Sequence, residues 1–249
     1  MPNWVYNGLT IEGPKESVIK LKEQMNTPFV DYIEANGDLA FGIKQRKYSN
    51  PIFSFRNIIA PTDLEAYKEQ PVRSELPSTD PNWWADTQRL SEIDNSWYNW
   101  NLRNWGTKWD VAVANDDEHP DTYMDEHENG ENYVVYYNFN TAWGVAEQAL
   151  INLSSQYPDL LFTLSYEEET GWGGEAEFLR GVIISQNQYE SRCRDCDAHD
   201  CMEYCENECG EICSVCNWLG EADLDAVAEC QTHAIYLDTK VPDYRKENV

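Results

Sequence analysis

All eight cysteines of this chain fall between positions 193 and 230, and no other residues in it are so well suited by type and spacing to chemistry. Cys193-x2-Cys196 is followed, after sixteen residues, by Cys213-x2-Cys216, a paired-knuckle spacing that lets four thiolates surround one zinc ion tetrahedrally. Cys201, Cys205, Cys209 and Cys213 recur every four residues, so a helix there would carry them on one face. A second site would draw on Cys201, Cys205, Cys209 and Cys230, with His199 and His233 as alternates. Four thiolates leave zinc no open coordination position, so the expected role is structural. An iron-sulfur cluster also takes four cysteines, and disulfides are the remaining alternative. Zinc is preferred because two CxxC pairs are its familiar frame and no redox partner is evident. The start of the chain lacks the basic-then-apolar pattern of a secretory signal, and no run approaches the roughly 18 to 20 apolar residues of a membrane span. A soluble, cytoplasmic protein is therefore expected, in a reducing compartment that disfavours disulfides.

The second chemical feature is charge. Against 45 Asp and Glu stand 18 Lys and Arg, a net charge of −27, which repels phosphate and argues against direct binding to nucleic acid or to an anionic membrane. A basic protein would instead be attracted. The acidity concentrates in two places. Residues 116–131 carry eight carboxylates and no Lys or Arg, and read as an acidic loop. Residues 190–230 carry twelve acidic and two basic side chains. The partner-binding candidates are Asp116, Asp117, Glu118, Asp125, Glu126 and Glu128 in the first stretch and Glu203, Glu206 and Glu208 in the second. Regularly placed carboxylates can imitate the phosphates of a duplex, while plain solvation is the competing reading of both stretches.

Six of the ten tryptophans lie in residues 83–109. Trp100, Trp105 and Trp109, with Arg103 and Lys108 beside them, could line a locally positive pocket for a small nucleotide, although tryptophans at such spacing are more often core. Glu167, Glu168 and Glu169 near Trp172 resemble a carboxylate pair beside a sugar-stacking ring, but chance pairing is expected among 45 carboxylates. No Ser/His/Asp constellation can be picked out, and His119 and His127 could bind a metal with neighbouring carboxylates, although solvated loop histidines are commoner. A non-enzymatic protein is expected.

The elements that must position these groups follow from periodicity. Residues 5–12 read as a strand, Pro14 opens a helix that ends near Asn26, and 39–43 and 52–58 read as strands. Residues 61–109 form a Pro- and Trp-rich insertion in which Leu90, Ile93, Trp97 and Trp100 can share one helical face. Residues 110–114 and 133–140 read as strands, 141–158 as a helix stopped by Pro158, and 160–166 and 178–185 as strands. Strand, helix, strand, repeated with long inserts, is the split βαβ arrangement of a ferredoxin-like α+β sandwich. Two helices would cover one sheet face, and the Trp-rich insertion would cover the other.

Three motifs carry a resemblance: MPNWVYNGLTIEGP at 1–14, NLRNWGTKWD at 101–110, and NFNTAW with QYPDLLFTLSYEEETGWGGE within 138–175. Together they resemble the YubB ferredoxin-like family of phage and plasmid proteins. Near the N-terminus, where members of that family usually carry Cys, this chain has Val5. The resemblance spans most of residues 1–185 and implies a ferredoxin-like α+β fold and carriage on a mobile genetic element. It implies no catalytic set. The expected organisation is a ferredoxin-like domain at 1–189, a small Cys-rich acidic zinc module at 190–233 and a return strand and tail at 234–249. The expected function is that of a non-catalytic phage accessory protein, located in the host cytoplasm. It would bind a basic, nucleic-acid-binding host protein and inhibit a host defence complex through a nucleic-acid-mimicking surface. Sequestration of a small nucleotide signal and an uncharacterised enzymatic activity are the alternatives.

Overall fold

The protein is described from a computed structural model covering residues 3–34, 43–111, 122–130, 132–190, 202–204, 210–213 and 219–222. In chain order its elements are β1 (Trp4–Gly13), α1 (Lys15–Met25), β2 (Phe29–Glu34), β3 (Ile43–Tyr48), α2 (Leu64–Tyr67), α3 (Trp83–Ile93) and α4 (Trp97–Trp105). There follow β4 (Tyr123–Asn129), β5 (Asn132–Ala142), α5 (Glu147–Gln156), β6 (Leu161–Glu168), β7 (Gly173–Leu179) and β8 (Val182–Tyr189). The last are β9 (Met202–Tyr204), β10 (Gly210–Cys213) and β11 (Leu219–Ala222).

Six strands form one sheet in the order β4-β5-β1-β6-β7-β8. Its first four members are antiparallel throughout, and with α1 and α5 they make the two interleaved strand-helix-strand units of a ferredoxin-like domain. β1 is the central strand because its residues alternate: Val5, Leu9 and Ile11 are fully buried on one face, and Tyr6 and Thr10 point to the other. The register extends that buried face across the sheet, since Leu9 lies opposite both Tyr137 and Leu164, and Ile11 opposite Val135 and Phe162. Val18, Leu21 and Met25 of α1 and Ala149, Leu150 and Leu153 of α5 close over it.

The segment predicted as a strand at 52–58 is a plug instead. Phe53 and Phe55 are fully buried, Phe53 stacking on Phe139 at 5.1 Å between centroids and Phe55 meeting the same ring edge-on at 5.9 Å. A short 3-10 turn at Phe55–Asn57 follows. Asp110 satisfies its backbone: the carboxylate accepts from Phe55 N (2.8 Å), Arg56 N (3.1 Å) and Ser54 Oγ (2.7 Å). Strand pairing is therefore not needed, and Asp110 itself belongs to this junction rather than to the strand predicted at 110–114, whose remainder from 112 lies outside the described residues. Of the strand predicted at 39–43 only Ile43 is described, as the first residue of β3.

The tryptophan-rich segment touches the far sheet face through Trp109, which packs against Trp4 at 6.2 Å between centroids. Its α4 packs against α5 on the helical side, where Asn152 Nδ2 donates to Asn104 O at 3.2 Å. The expected common face of Leu90, Ile93, Trp97 and Trp100 is split, because α3 ends at Asp94 and the next helix starts after Ser96, the Asp94 carboxylate fixing the junction by accepting from Ser96 N, Ser96 Oγ and Asn99 Nδ2. α4 ends on Gly106 in the left-handed region (φ 84°), where a Cβ would sit 2.8 Å from Val145 O, so only glycine allows this close approach to the start of α5.

The strand predicted at 178–185 is the end of β7 and the start of β8, with a turn at Arg180 and Gly181, both at positive φ. The helix predicted from 141 begins at Glu147, because β5 runs on to Ala142. The chain divides into one unit of residues 1–169 and 175–186 and a second of residues 170–174 and 187–249. Within the second, β11, β10 and β9 form a three-stranded sheet.

Candidate functional site

The acidic stretch expected as a loop contains an edge strand. Residues 123–129 pair with β5, and the register gives the strand two chemically different faces. Met124, Glu126 and Glu128 share the helix-covered side, and Tyr123, Asp125 and His127 share the open side. On the covered side Glu126 is held by Lys22 and Glu128 by Lys15, the latter at 2.7 Å, so two lysines of α1 clasp the strand. Lys15 also lies over the Tyr133 ring. The hydrogen bond from Lys22, with a further one from Tyr133, holds the Glu126 carboxyl below its ordinary range, and Lys15 does the same for Glu128. Glu126 and Glu128 are therefore committed to lysines of α1, whereas Asp125 lies on the open side and accepts from Glu126 N at 2.8 Å.

These two depressed carboxyls stabilise the folded state fully above the ordinary glutamate pKa, and that contribution is lost as pH falls through their lower folded values. Urea midpoints of wild type should thus fall between about pH 5 and about pH 3, and E126Q/E128Q should show a flatter dependence over the same window. Equal slopes would mean that the clasp contributes nothing.

The open sheet face carries a different chemistry. Tyr6 is 51% and Tyr123 56% exposed. Tyr136 lies across the sheet over Gly8, donating to Asn138 Oδ1 at 2.7 Å, and a Cβ on Gly8 would come within 2.7 Å of its hydroxyl. Glycine at that position leaves room for the ring on the strand surface. On β7, Ala176 and Phe178 are buried, which turns exposed Glu175 and half-buried Glu177 to the open side. The six strands together contain eight carboxylates and no Lys or Arg. Five of these carboxylates, Glu12, Asp125, Glu167, Glu175 and Glu177, are on the open side, and an aromatic face of that charge attracts positive charge and repels phosphate.

The proposed nucleotide residues are not brought to one pocket. Trp105 is 1% exposed, with Nε1 donating to Ile59 O at 3.1 Å, and Trp100 meets it edge-on while also contacting Tyr67. Trp105 belongs to the core, and Trp100 packs at its edge, partly exposed. Arg103 donates to Ser91 O and to Asn95 Oδ1, pinning the link between α3 and α4. Lys108 and Trp109 are partly exposed, with Lys108 Nζ 4.5 Å from the Trp109 centroid and 5.8 Å from that of Trp97. Glu167 and Glu168 fall on opposite faces of β6, so they do not form a convergent carboxylate pair. Trp172 lines an open pocket of about 650 Å³ in the second unit with Gly173, Gln188, Tyr189 and Glu190.

Cys193, Cys196, Cys201, Cys205, Cys209, Cys216, Cys230, His199 and His233 lie outside the described residues, as do Asp116, Asp117, Glu118, His119, Glu206 and Glu208. Cys213 closes β10, opposite Met202 of β9, and Glu203 is in β9. Residues 202–204 and 210–213 are strands, so the one-face alignment that a helix would give these cysteines is not formed at the described positions. Among the described residues no cluster of His, Cys, Asp and Glu could hold a metal ion, and no helix is long and apolar enough to cross a membrane. Sequence reasoning missed the lysine clasp and the tyrosines. Their signal is present as Lys15 and Lys22 at a two-turn spacing on the helix, and as Tyr6 at an outward position of an otherwise regular alternation.

Residues 108–206 match the family model described as "Ferredoxin-like domain in Api92-like protein". Among solved structures the chain is similar to the crystal structure of a protein api92 from Yersinia pseudotuberculosis, at 10% identity and a TM-score of 0.37, over 78% of this chain and 100% of that one. No curated protein matches. The matched stretch holds β4 to β9 and α5, whereas the central strand β1 and its helix α1 come from outside it.

Proposed function

We propose that this ferredoxin-like chain acts by binding, without catalysis, and that its partner is a basic protein that itself grips nucleic acid. The observation that carries the reading is the composition of the open side of the sheet: Glu12, Asp125, Glu167, Glu175 and Glu177 lie on the side that carries Tyr6, and none of the six strands contributes a Lys or Arg. Fixed on strands, these charges are held in place rather than scattered over mobile loops. Alternate residues of a strand lie about 6.6 Å apart, so a partner meets a rigid array of negative charge. The resemblance of the sequence motifs to proteins of phages and plasmids supports a host defence complex as the target, inhibited by occupation of its nucleic-acid groove. In the same proposal, zinc bound by Cys193, Cys196, Cys213 and Cys216 organises the acidic C-terminal segment, and a second site draws on the remaining cysteines.

The test is capture by the tagged full chain from host cells. The partner should be basic, be released at high salt and be displaced by duplex DNA, since a mimic and its model compete for one groove. A partner retained at high salt and indifferent to DNA would overturn the reading.

A further inference from the structure

We propose that the open face of the sheet is the docking surface, and that it selects arginine over lysine in a basic segment of the partner. This rests on the functional reading above and deepens it. Two independent features of the face point to arginine. Three tyrosines, Tyr6, Tyr123 and Tyr136, occupy the outward positions of β1, β4 and β5, the first two more than half exposed. Carboxylates flank them on the same side: Asp125 on β4 directly opposite Tyr136, and Glu175 and Glu177 on β7. A guanidinium is planar and weakly hydrated, stacks on aromatic faces and takes a carboxylate through two parallel hydrogen bonds, whereas an ammonium is a compact, strongly hydrated point charge that gains little from a ring.

The positions of the tyrosines are held by the fold. Tyr136 is laid flat by the missing side chain of Gly8 and tethered through its hydroxyl to Asn138, so its ring presents a face to solvent at little further cost in conformational entropy. A cation already rests over an aromatic ring at the end of this face, as a point charge rather than a stacked plane. Lys108 Nζ lies over the Trp109 ring, and that ring packs at 6.2 Å against Trp4, which shares the outward side of β1 with Tyr6. Aromatic residues on an open four-stranded sheet also suit stacked bases of single-stranded RNA. Here the carboxylates among the rings, with no cation on any of the six strands, oppose a phosphate backbone.

The experiment titrates the purified full chain with an arginine homopeptide, a lysine homopeptide of equal length and a single-stranded oligonucleotide, following tyrosine fluorescence and NMR shifts. Wild type should bind the arginine peptide roughly tenfold more tightly than the lysine peptide. Y6S/Y123S alters exposed side chains only, and should erase that preference while keeping the lysine peptide's affinity. D125N/E175Q/E177Q should weaken both peptides. Equal affinity of wild type for the two peptides, a preference untouched by Y6S/Y123S, or tighter binding of the oligonucleotide would each overturn the inference. If the cellular partner is still captured and DNA-competed while the tyrosine variant behaves as wild type, only the docking surface is wrong. If neither peptide binds and no basic protein is captured, the functional reading falls with it.

Discussion

Trp105→Ala should destabilise the protein by about 3–5 kcal/mol, the range for truncating a large aromatic in a packed core. Against a total of roughly 5–15 kcal/mol for a domain, that leaves a marginal or unfolded chain at 37 °C. The ring is 1% exposed, contacts Phe55 and Trp100, and sits one residue before Gly106, which brings α4 against α5. Truncation opens a cavity between the inserted helix and the aromatic plug, and also leaves Ile59 O without its indole donor. Thermal melts with and without a mononucleotide check this. A core residue predicts a large fall in Tm that no nucleotide moves; a near-native Tm with lost nucleotide protection would return Trp105 to a ligand site. Trp105→Phe keeps part of the volume and should recover part of the stability, which separates packing from the single hydrogen bond.

Chelation of the proposed zinc should have an even larger local effect. Structural zinc contributes roughly 10–16 kcal/mol of apparent binding free energy to small zinc-finger peptides, because ligation and folding are one process. The segment 190–233 is polar, with twelve acidic side chains already present by Cys230, and little in it can build a core without metal. Metal analysis of the purified chain should return one or two zinc ions, and Cys193→Ser should remove at least one of them. Strong chelator should abolish amide protection at 202–204 and 210–213 while leaving β1, β5 and β6 protected. Metal-free protein with unchanged protection in β9 and β10 would dismiss the zinc module.

Much of the central sandwich was legible because its strands and helices follow simple periods. β1 alternates buried and outward residues with one break in type, Asn7, and Pro14 marks the start of α1. β5 is rich in tyrosine and valine, and α5 keeps Ala149, Leu150 and Leu153 at helical spacing. The errors share a physical origin: partners distant in sequence replaced local ones. Phe53 and Phe55 alternate as a strand would, and only Asp110, more than fifty residues away, satisfies the backbone between them in another way. β4 is invisible to hydrophobic periodicity because two of its three covered positions are glutamates, made tolerable there by lysines of α1. Periodicity also counted tryptophans as one helical face without weighing Asp94 and Ser96, a capping pair that ends one helix and begins the next. Of the candidate site, Asp125 was legible as an acidic residue, but the open face that gives it neighbours depends on where the tryptophan-rich helices pack. That is a tertiary outcome.

The central position of β1 has a consequence for biogenesis. The strand precedes both its neighbours in the chain, and they come late: Gly13 waits for Tyr133, about 120 residues further on, and Ile11 for Phe162. At about 5–20 residues per second the ribosome needs roughly 6–24 s to deliver the first of these partners. Throughout that interval Val5, Leu9 and Ile11 have no sheet to enter, so the nascent chain presents an unpaired apolar strand whose rescue depends on long-range closure. The burden falls on the growing chain before its acidic sheet exists, and this topology calls for β1 to be held away from other chains until β5 and β6 are made.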